Sequence, residues 1–469
     1  MASTGDMLSI GKSALLTAQQ GMATASHNTA NVSTPGYSRQ SVLQEAQTPE
    51  TTPGGYIGRG VQTTTVRRNY DQYLTSNERT TTAASQYWQQ YEELANRIDQ
   101  LFAQPETGLN DPLNNLFGSL YDLAQDPTSK AAREVVLTNA DSLAGRFNML
   151  ADYLSTVQQE VNTDVTQGVA DLNDLANKVA ELNVQIVNAS NQSASGPPND
   201  LLDQRDRLLL EMSGVTDITV YQESNGMVNV YVGQGFALVL SGRANQLATR
   251  PDQRSPGHLR VVLDAGNGSV VDVTDSLHGG QIGGALDFQN QMLDPTRAKL
   301  DELAFQVAKE LNALNRRGFD ASGRRSRDDL FQVTPTAQGA ASAIELQLHD
   351  GSQIAAATQR GKAGDNSNAL AMARSFQDLT MEHGTQSFGG FYAGMVGEVG
   401  AQARSAQINR QSNDLIAEQA SAAKRNQAGV NLDEEAANLV RLQQEYAAAA
   451  QIIAVSDQVF QELLNAVRR

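Results

Sequence analysis

Apolar residues at both ends of the chain recur alternately three and four positions apart, which is the spacing of a heptad seam. The N-terminal seam stops at Ser33-Thr34-Pro35-Gly36, a strong helix terminator. The C-terminal helix is predicted to start near Asp433-Glu434-Glu435, because acidic residues suit the positive end of a helix. The spacing therefore predicts a long amphipathic helix at each end. The seams comprise Leu8, Gly11, Leu15, Ala18, Met22, Ala25, Thr29 and Val32, and then Leu439, Leu442, Tyr446, Ala449, Ile453, Ser456, Phe460, Leu463 and Val467.

Such helices cannot stand alone in water, because each would expose an apolar stripe. The economical interpretation is that they pack on each other or on neighbouring copies of the chain. The spacing by itself leaves open an intramolecular helix pair with no role in assembly.

The segments that follow the first seam also have mainly helical periodicity. Helices are predicted over about 69–102, 116–123 and 200–212. A very long helical stretch begins near 130 and ends at Ser195-Gly196-Pro197-Pro198, and its apolar pattern is interrupted at Gly168 before it resumes. These patterns indicate a rod built of long helices.

Residues 215–286 differ in character from the helical segments. Short β-branched runs flank Ser224-Asn225-Gly226, which is a hairpin signal, and further strand-like runs lie at 259–263 and 270–273. The glycines at 279–284 are interpreted as a flexible turn that closes this region. The pattern predicts a small β-domain inserted between helical halves.

Helical periodicity returns after the β insertion. Helix is predicted over 289–315 and over most of 366–428, with a break at 384–394. A polar stretch rich in glycine and arginine, 316–329, is predicted to be an exposed loop, and short extended segments follow it. The fold class predicted from these patterns is mainly α with a β insertion.

Composition narrows the classes of function. The formal net charge of −17 disfavours a nucleic-acid partner, because phosphate binding needs a concentrated basic surface. The absence of cysteine excludes disulfides and cysteine metal sites. No run approaches the ~20 apolar residues of a membrane span. Polar residues interrupt the segment from Leu8 to Met22, so no signal-peptide core is predicted, and an extracellular destination would require another export route.

Few residues have the spacing that a phosphate-binding, metal-binding or catalytic site requires. The glycines at 279–284 lack GxGxxG spacing and a Walker lysine, and Asp320-Ala321-Ser322-Gly323 only begins a calcium-loop pattern. No histidine belongs to an HExxH motif, and we interpret all five as surface residues. We therefore expect no catalytic site, no metal and no cofactor. The histidines are His27, His258, His278, His349 and His383.

Two charged clusters have ordinary explanations. The arginine-rich cluster within 316–327 is interpreted as a solvated loop, with a contact to an acidic neighbouring subunit as the alternative. The cluster at 203–207 is interpreted as ion pairs on a helix surface. The first cluster is Arg316, Arg317, Arg324, Arg325 and Arg327, and the second is Asp203, Arg205, Asp206 and Arg207.

Residues 26–39, SHNTANVSTPGYSR, resemble the N-terminal signature of the flagellar axial proteins of the rod, hook and hook-associated classes. Asn28, Asn31, Thr34, Pro35, Gly36 and Tyr37 carry that match. The continuation Ser38-Arg39-Gln40 and the ending from Gly429 onwards are similar to the family of the first hook-associated protein. Interior segments at 200–209, 228–239 and 354–373 match the same family, so the resemblance spans the whole chain.

The resemblance implies an inner coiled-coil domain of both terminal helices, an elongated helical rod domain and a small outer β-domain. In chain order we expect 1–60 as the N-terminal half of the inner domain, 61–214 as the first part of the rod, 215–286 as the β-domain, 287–427 as the second part of the rod with extended segments near 330–360, and 428–469 as the C-terminal helix of the inner domain.

The resemblance also implies partners and a location. Family members form a helical ring on the hook tip, between the hook protein and the second hook–filament junction protein. They are exported unfolded by the flagellar type III system, with a cytoplasmic chaperone on the C-terminal region, and function outside the cell. The assembly interface is expected at Leu8, Leu15, Met22, Asn28, Asn31, Pro35, Gly36, Tyr37, Leu439, Leu442, Tyr446, Ile453, Phe460 and Leu463.

Three alternatives stay open at this point. The chain could be another axial protein, a hook or distal rod subunit, although the TPGYSR continuation and the DEEAANL stretch argue against this. It could be an enzyme on a helical rod, which the lack of HExxH disfavours. It could also bind host surfaces through its β-domain as a secreted adhesin.

Overall fold

The computed structural model describes residues 4–52, 55–104, 107–192, 196–264 and 270–467. Ser195, one residue of the predicted helix terminator, lies outside these ranges. The described helices are α1 (Thr4–Ala30), α2 (Gln72–Ala103), α3 (Asn110–Gln125), α4 (Lys130–Gln192), α5 (Asn199–Val215), α6 (Gly280–Phe288), α7 (Asp294–Arg317), α8 (Ala340–Ala343), α9 (Ser367–Arg374), α10 (Phe388–Ala428) and α11 (Leu432–Val467), with a π-helical turn at Gln289–Leu293 between α6 and α7.

The strands form small antiparallel sheets. One contains β1 (Gln40–Ala46) and β4 (Val61–Arg68), with the hairpin of β2 (Glu50–Thr52) and β3 (Gly55–Ile57) between them in the chain. The other strands are β5 (Ile218–Gln222), β6 (Val228–Val232), β7 (Phe236–Leu240), β8 (Arg243–Ala244), β9 (Gln246–Pro251), β10 (Leu259–Asp264), β11 (Val270–Asp272), β12 (Phe331–Gln332) and β13 (Glu345–Leu346). The fold class, mainly α with a β insertion, is confirmed.

The helix α4 is the longest of the described helices and the central one in the packing. Its 63 residues would extend about 95 Å at a rise of ~1.5 Å per residue. Its apolar seam is fully covered: Phe147, Leu150 and Leu154 are all 0% exposed. The helices α3, α5, α6 and α8 pack along it, as do strands of the β insertion. We call α2 to α10, without the terminal helices, the body.

The apolar pattern is interrupted at Gly168, yet α4 passes through this residue without a break, as one long helix. A Cβ at position 168 would lie 2.8 Å from Cγ1 of Ile282 on α6. The glycine therefore allows two helices to approach closely, and the gap in the apolar pattern marks a packing contact.

The strands at 218–272 form a four-stranded sheet in the order β5-β6-β7-β8 and a three-stranded sheet in the order β11-β10-β9. The predicted hairpin is present, with β5 and β6 joined around Asn225-Gly226. Asn183 of α4 attaches this hairpin to the rod, because its side chain hydrogen-bonds the backbone N–H and C=O of Val228.

The glycines at 279–284 do not form the expected β turn. Gly280 begins α6, which continues through the π-helical turn into α7. Gly280 has φ +60°, and a Cβ there would lie 2.4 Å from the backbone of Thr216. Tight packing of the first turn of α6 on neighbouring backbone thus requires residues without side chains.

Two other predictions of local structure need correction. The helical break expected at 384–394 ends earlier, because Ser387 caps α10 by accepting a hydrogen bond from the backbone N–H of Gly390. Of the extended segments expected near 330–360, only β12 and β13 form strands, and they pair with each other. The pair β1 and β4, within and just after the segment assigned to the N-terminal coiled-coil half, was not predicted.

Candidate assembly surface

The two terminal helices pack on each other in antiparallel orientation. A Cβ at Gly11 would lie 2.8 Å from Cγ1 of Ile453, and one at Gly21 would lie 2.8 Å from Cδ2 of Leu442. The contacts run from Gly11 to Gly21 along α1 and from Ile453 back to Leu442 along α11, so the two helices are antiparallel. Gly11, a weak member of the predicted seam, is therefore a point of close helix contact. We call α1 with α11 the terminal helix pair.

The contact covers only a narrow stripe of α11. From its first turn up to residue 466, whose burial is described, the buried residues are spaced seven apart, one in each heptad. They are Glu435, Leu442, Ala449 and Ser456. An isolated pair of helices can cover one line of each helix, so the positions on either side of that line stay in contact with water.

Much of the remaining apolar surface of the pair is exposed. Among the residues predicted for the interface, Leu8 is 46% exposed and Leu463 is 51% exposed, and Tyr446 and Phe460 are also exposed. Leu15, Met22, Leu439 and Ile453 are half-buried. Further exposed apolar residues, absent from the predicted set, are Leu16, Val440, Ile452, Val455, Val459 and Leu464. A hydropathy pattern could have found them, because they flank the seam.

Asn28 lies at the end of α1 and is 1% exposed. Its Nδ2 donates to the carbonyl of Gln40 at 2.9 Å, and its Oδ1 accepts from the backbone N–H of Gln40 at 2.9 Å. The hydroxyl of Tyr37 donates to the same Oδ1 at 2.7 Å. Burial and the nearby carboxylates of Asp200 and Asp203 raise the pKa of Tyr37. Within a single chain, therefore, the hydrogen bonds of Asn28 and Tyr37 stabilise the turn between α1 and β1.

The other predicted residues of this turn differ in their exposure. Asn31 Oδ1 accepts a hydrogen bond from the hydroxyl of Thr34, which closes the turn after α1. Pro35 is exposed. Gly36 has φ +78° and lies against the Cβ of Arg207 on α5. The interface assigned to these residues stays a prediction.

Arg39 connects three segments of the chain. Its backbone N–H donates to the carbonyl of Ala428 at 2.7 Å, and its carbonyl accepts from Asn69 N–H at 2.7 Å. Its guanidinium pairs with Glu434 at 3.0 Å and with Glu435 at 2.6 Å, at the start of α11. Arg39 thereby holds the terminal helix pair to the body.

The interpretation of the 203–207 cluster as surface ion pairs is wrong for three of its four members. Asp203, Arg205 and Asp206 are 6%, 3% and 9% exposed. Only Arg207 forms an exposed helix pair, at 3.8 Å from Glu211. Sequence spacing could not reveal this, because the partners that bury α5 come from distant segments.

Arg68 at the end of β4 binds two of these carboxylates. Its Nη1 lies 2.7 Å from Asp203 Oδ1 and 2.6 Å from Asp206 Oδ2. The other oxygen of Asp203 accepts from the backbone N–H of Ser38 at 2.8 Å. Burial raises the pKa of Asp203, and the hydrogen bonds from Arg68 and Ser38 oppose that rise. Burial alone would lower the pKa of Arg68, but the two carboxylates raise it.

Arg205 points to the other side of α5, toward the β insertion. Its Nη1 donates to Asn183 Oδ1 at 3.1 Å and to the carbonyl of Gly226 at 2.8 Å. Burial lowers its pKa. The short helix α5 therefore joins the TPGY turn, the rod helix α4 and the β hairpin through buried polar contacts.

Within the described ranges, no three acidic or histidine side chains are grouped as they would be to hold a metal ion. The same ranges contain no helix that is both long and apolar enough to cross a membrane. Four histidines are exposed as expected. His258 is the exception, because its side chain is mostly buried and lies 3.2 Å from Asp294 and 2.9 Å from Gln289.

Comparison with known proteins identifies the family. Residues 95–331, half of the chain, match the model of the flagellar hook-associated protein FlgK helical domain. The chain belongs to the FlgK family of flagellar hook-associated proteins. Residues 426–466, which cover nearly all of α11, match the C-terminal model of the flagellar basal body rod FlgEFG proteins. The FlgK family is structural, so this chain is a structural component of the flagellum.

FlgK relatives match along almost the whole chain. Flagellar hook-associated protein 1 of Escherichia coli K12 is 26% identical over 537 residues, covering 97% of this chain and 98% of that protein. The Bacillus subtilis 168 protein of the same name is 28% identical over 507 residues, covering 99% of both. The solved structure of the flagellar hook junction protein FlgK from Burkholderia pseudomallei has a TM-score of 0.69 at 20% identity, covering 76% of this chain and 100% of that one.

Proposed function

We propose that this chain is a mechanical adaptor that assembles at the tip of the flagellar hook and joins hook to filament. The FlgK relatives support this role, and the name of the Burkholderia structure places that protein at the hook junction. The observation that carries the proposal is the exposed apolar surface of the terminal helix pair. A narrow contact stripe beside several exposed apolar residues suits helices that complete their burial against neighbouring copies.

Assembly would then be a helical ring of copies with heterologous contacts, which do not close between two molecules. Its lower surface would contact hook protein and its upper surface the second junction protein. The chain would be exported unfolded by the flagellar type III system, which its lack of cysteine suits, and a chaperone would hold the C-terminal region before export. Its location would be cytoplasmic before export and extracellular at the junction afterwards.

The domain division proposed with this role follows the chain. Residues 1–60 and 428–469 would form the inner coiled-coil domain, 61–214 and 287–427 the rod, and 215–286 an outer β-domain. The hydrogen bonds from Ser38 N–H to Asp203 and from Asn69 N–H to the carbonyl of Arg39 cross between these units and support a firm connection between the inner domain and the rod. A stiff connection would transmit torque from hook to filament.

Electron microscopy of cells that lack this gene tests the role. Hooks of normal length without filaments, with flagellin in the medium, are the expected result. Basal bodies without hooks would instead identify a rod or hook subunit, and normal filaments would refute a role in the flagellum.

A charge at Leu463 tests the surface itself. Leu463 is 51% exposed, so Leu463→Glu should leave the monomer folded yet block junction formation by placing a carboxylate in an apolar contact. Gln461→Glu is the matched control, because Gln461 is exposed on the same turn and gains the same charge. Normal swimming by the Leu463→Glu strain would remove the support that this surface gives to the proposal.

A further inference from the structure

Two loops meet at the end of the rod where α4 begins. The loop 316–329 is held beside the loop 358–365 by a hydrogen bond from Phe319 N–H to the carbonyl of Ala357, the residue just before that loop, at 2.8 Å. A Cβ on Gly323 would lie 3.6 Å from the backbone nitrogen of Gly361. We call these two loops together the basic loop surface.

The charge of this surface is opposite to that of the chain. The loop 316–329 has five arginines and three aspartates, and 358–365 has one arginine, one lysine and one aspartate, which gives 7 − 4 = +3. The chain has −17 in total, so the rest carries −17 − 3 = −20. A concentrated basic surface on an acidic protein favours contact with acidic protein surface.

Three of the four carboxylates of the two loops are used within the loops, and the fourth, Asp328, is exposed. Asp320 accepts from the backbone N–H groups of Ser322 and Arg324 at 2.8 and 2.9 Å. Asp365 accepts from the backbone N–H groups of Thr358 and Gln359 at 2.8 and 2.9 Å. These bonds fix the loop backbones, so the calcium-loop resemblance at 320–323 is explained by local turn geometry.

Most cations of the two loops, five of the seven, are left without a carboxylate partner among the described residues. Asp329 pairs with Arg316, and Asp320 with Arg324. Five exposed cations have no ion pair with any residue that the structure describes, and the guanidinium groups of the four arginines among them can bind carboxylates in bidentate fashion. They are Arg317, Arg325, Arg327, Arg360 and Lys362.

The first half of α4 has a complementary face. Glu134, Asp141 and Asp152 are exposed, lie within about 20° of one another around the helix at ~100° per residue, and form no ion pair within the described ranges. Val135 and Met149 beside them are 51% and 41% exposed. The face thus combines carboxylates with apolar surface, as protein contacts do.

We propose that the basic loop surface of one copy docks onto this acidic face of α4 on a second copy of the chain. The inference rests on the proposed function, which brings many copies side by side. Asp152 lies 18 residues beyond Glu134, about 27 Å further along α4 from the basic loops. A neighbour that reaches it must therefore be staggered along the rod, which suits a heterologous contact in a helical ring.

Charge exchange tests the contact in cells that lack the native gene. The variant Arg317→Glu/Arg325→Glu/Arg327→Glu should be exported yet lose motility, because carboxylates would face carboxylates. Adding Glu134→Lys, Asp141→Lys and Asp152→Lys to the same chain should restore motility. The matched control is Arg243→Glu/Arg250→Glu/Arg254→Glu on the β-domain, which changes the charge equally at exposed arginines and should swim.

Thermal melting of the purified full-length variants should match that of the unaltered protein, since all six positions are exposed. Motility of the arginine variant, or its loss without recovery in the exchanged chain, would overturn the proposal. The unaltered gene, returned to the deletion strain, separates the docking contact from the proposed function. If this gene fails to restore filaments, the proposed function is wrong.

Cross-linking identifies the partner directly, because the chain has no cysteine of its own. Arg325→Cys carrying a thiol-linked photoreactive probe, in assembled flagella, should give a product of two chains of 50.3 kDa each. Peptide mapping should place the second end on the first half of α4. A product with a different protein, or one mapped elsewhere on the chain, would overturn the proposal.

Discussion

The helices α4 and α11 are both long and both carry an apolar heptad pattern, yet they are buried very differently. In α4 the seam is covered within the chain, with Phe147 and Leu150 at 0% exposure. In α11 a single residue per heptad is buried, while Phe460 and Leu463 are 47% and 51% exposed. The comparison teaches that the same pattern completes a fold in one region and leaves contact surface in the other.

The largest expected effect comes from core truncation in α4. Phe147→Ala should lower the free energy of unfolding by about 3–5 kcal/mol, because it removes a fully buried ring and leaves a cavity. Phe460→Ala, the same change on α11, should alter it by less than about 0.5 kcal/mol. Urea unfolding of both variants checks this, and equal losses would contradict the contrast between the two regions.

The ion cluster of Arg68 joins the end of β4 to α5. Arg68→Met should cost about 3 kcal/mol, because it leaves Asp203 and Asp206 buried without a counter-charge. The triple variant with Asp203→Asn and Asp206→Asn should regain part of this loss in thermal melts. A single variant as stable as the original protein would mean that the cluster is solvated in solution.

Packing of the terminal helix pair gives a smaller and more local effect. Gly21→Ala should weaken the pair by about 1–3 kcal/mol, because the new methyl group would lie 2.8 Å from Leu442 Cδ2. Hydrogen exchange should speed up in α1 and α11 and stay unchanged in α4. Gly145→Ala in α4, where nothing lies within 4 Å, should instead stabilise by about 0.5–1 kcal/mol.

The smallest effect concerns pH and a loop of the body. Hydrogen bonds from Ser367 and from the backbone N–H groups of Thr358 and Gln359 hold the pKa of Asp365 below its ordinary value, although partial burial opposes this. A depressed pKa stabilises the fold above the unfolded-state pKa, and that contribution disappears as pH falls. Asp365→Ala should therefore cost about 1 kcal/mol at pH 7 and progressively less below about pH 4. Melting curves across this range check the trend, and a pH-independent cost would exclude the ionised carboxylate as its source.

Local periodicity made much of the architecture predictable. The seams of α1 and α11, the long rod helices and the hairpin at Asn225-Gly226 all depend on spacing over a few turns, which a sequence displays directly. The signature at 26–39 and the ending from Gly429 indicated the hook-associated family before any contact was known.

The tertiary structure decided which of these positions are covered and which are free. Gly168 appeared as a gap in the apolar pattern and Gly280 as part of a turn, because the residues that require their small size, Ile282 and Thr216, are distant in sequence from them or hidden from any local pattern. Asp203, Arg205 and Asp206 appeared as surface charges because their partners come from other segments, including Arg68 and Asn183. A periodic pattern shows which face of a helix or strand is apolar and which is polar. Whether a residue on that face is buried depends on which distant segments of the chain fold against it.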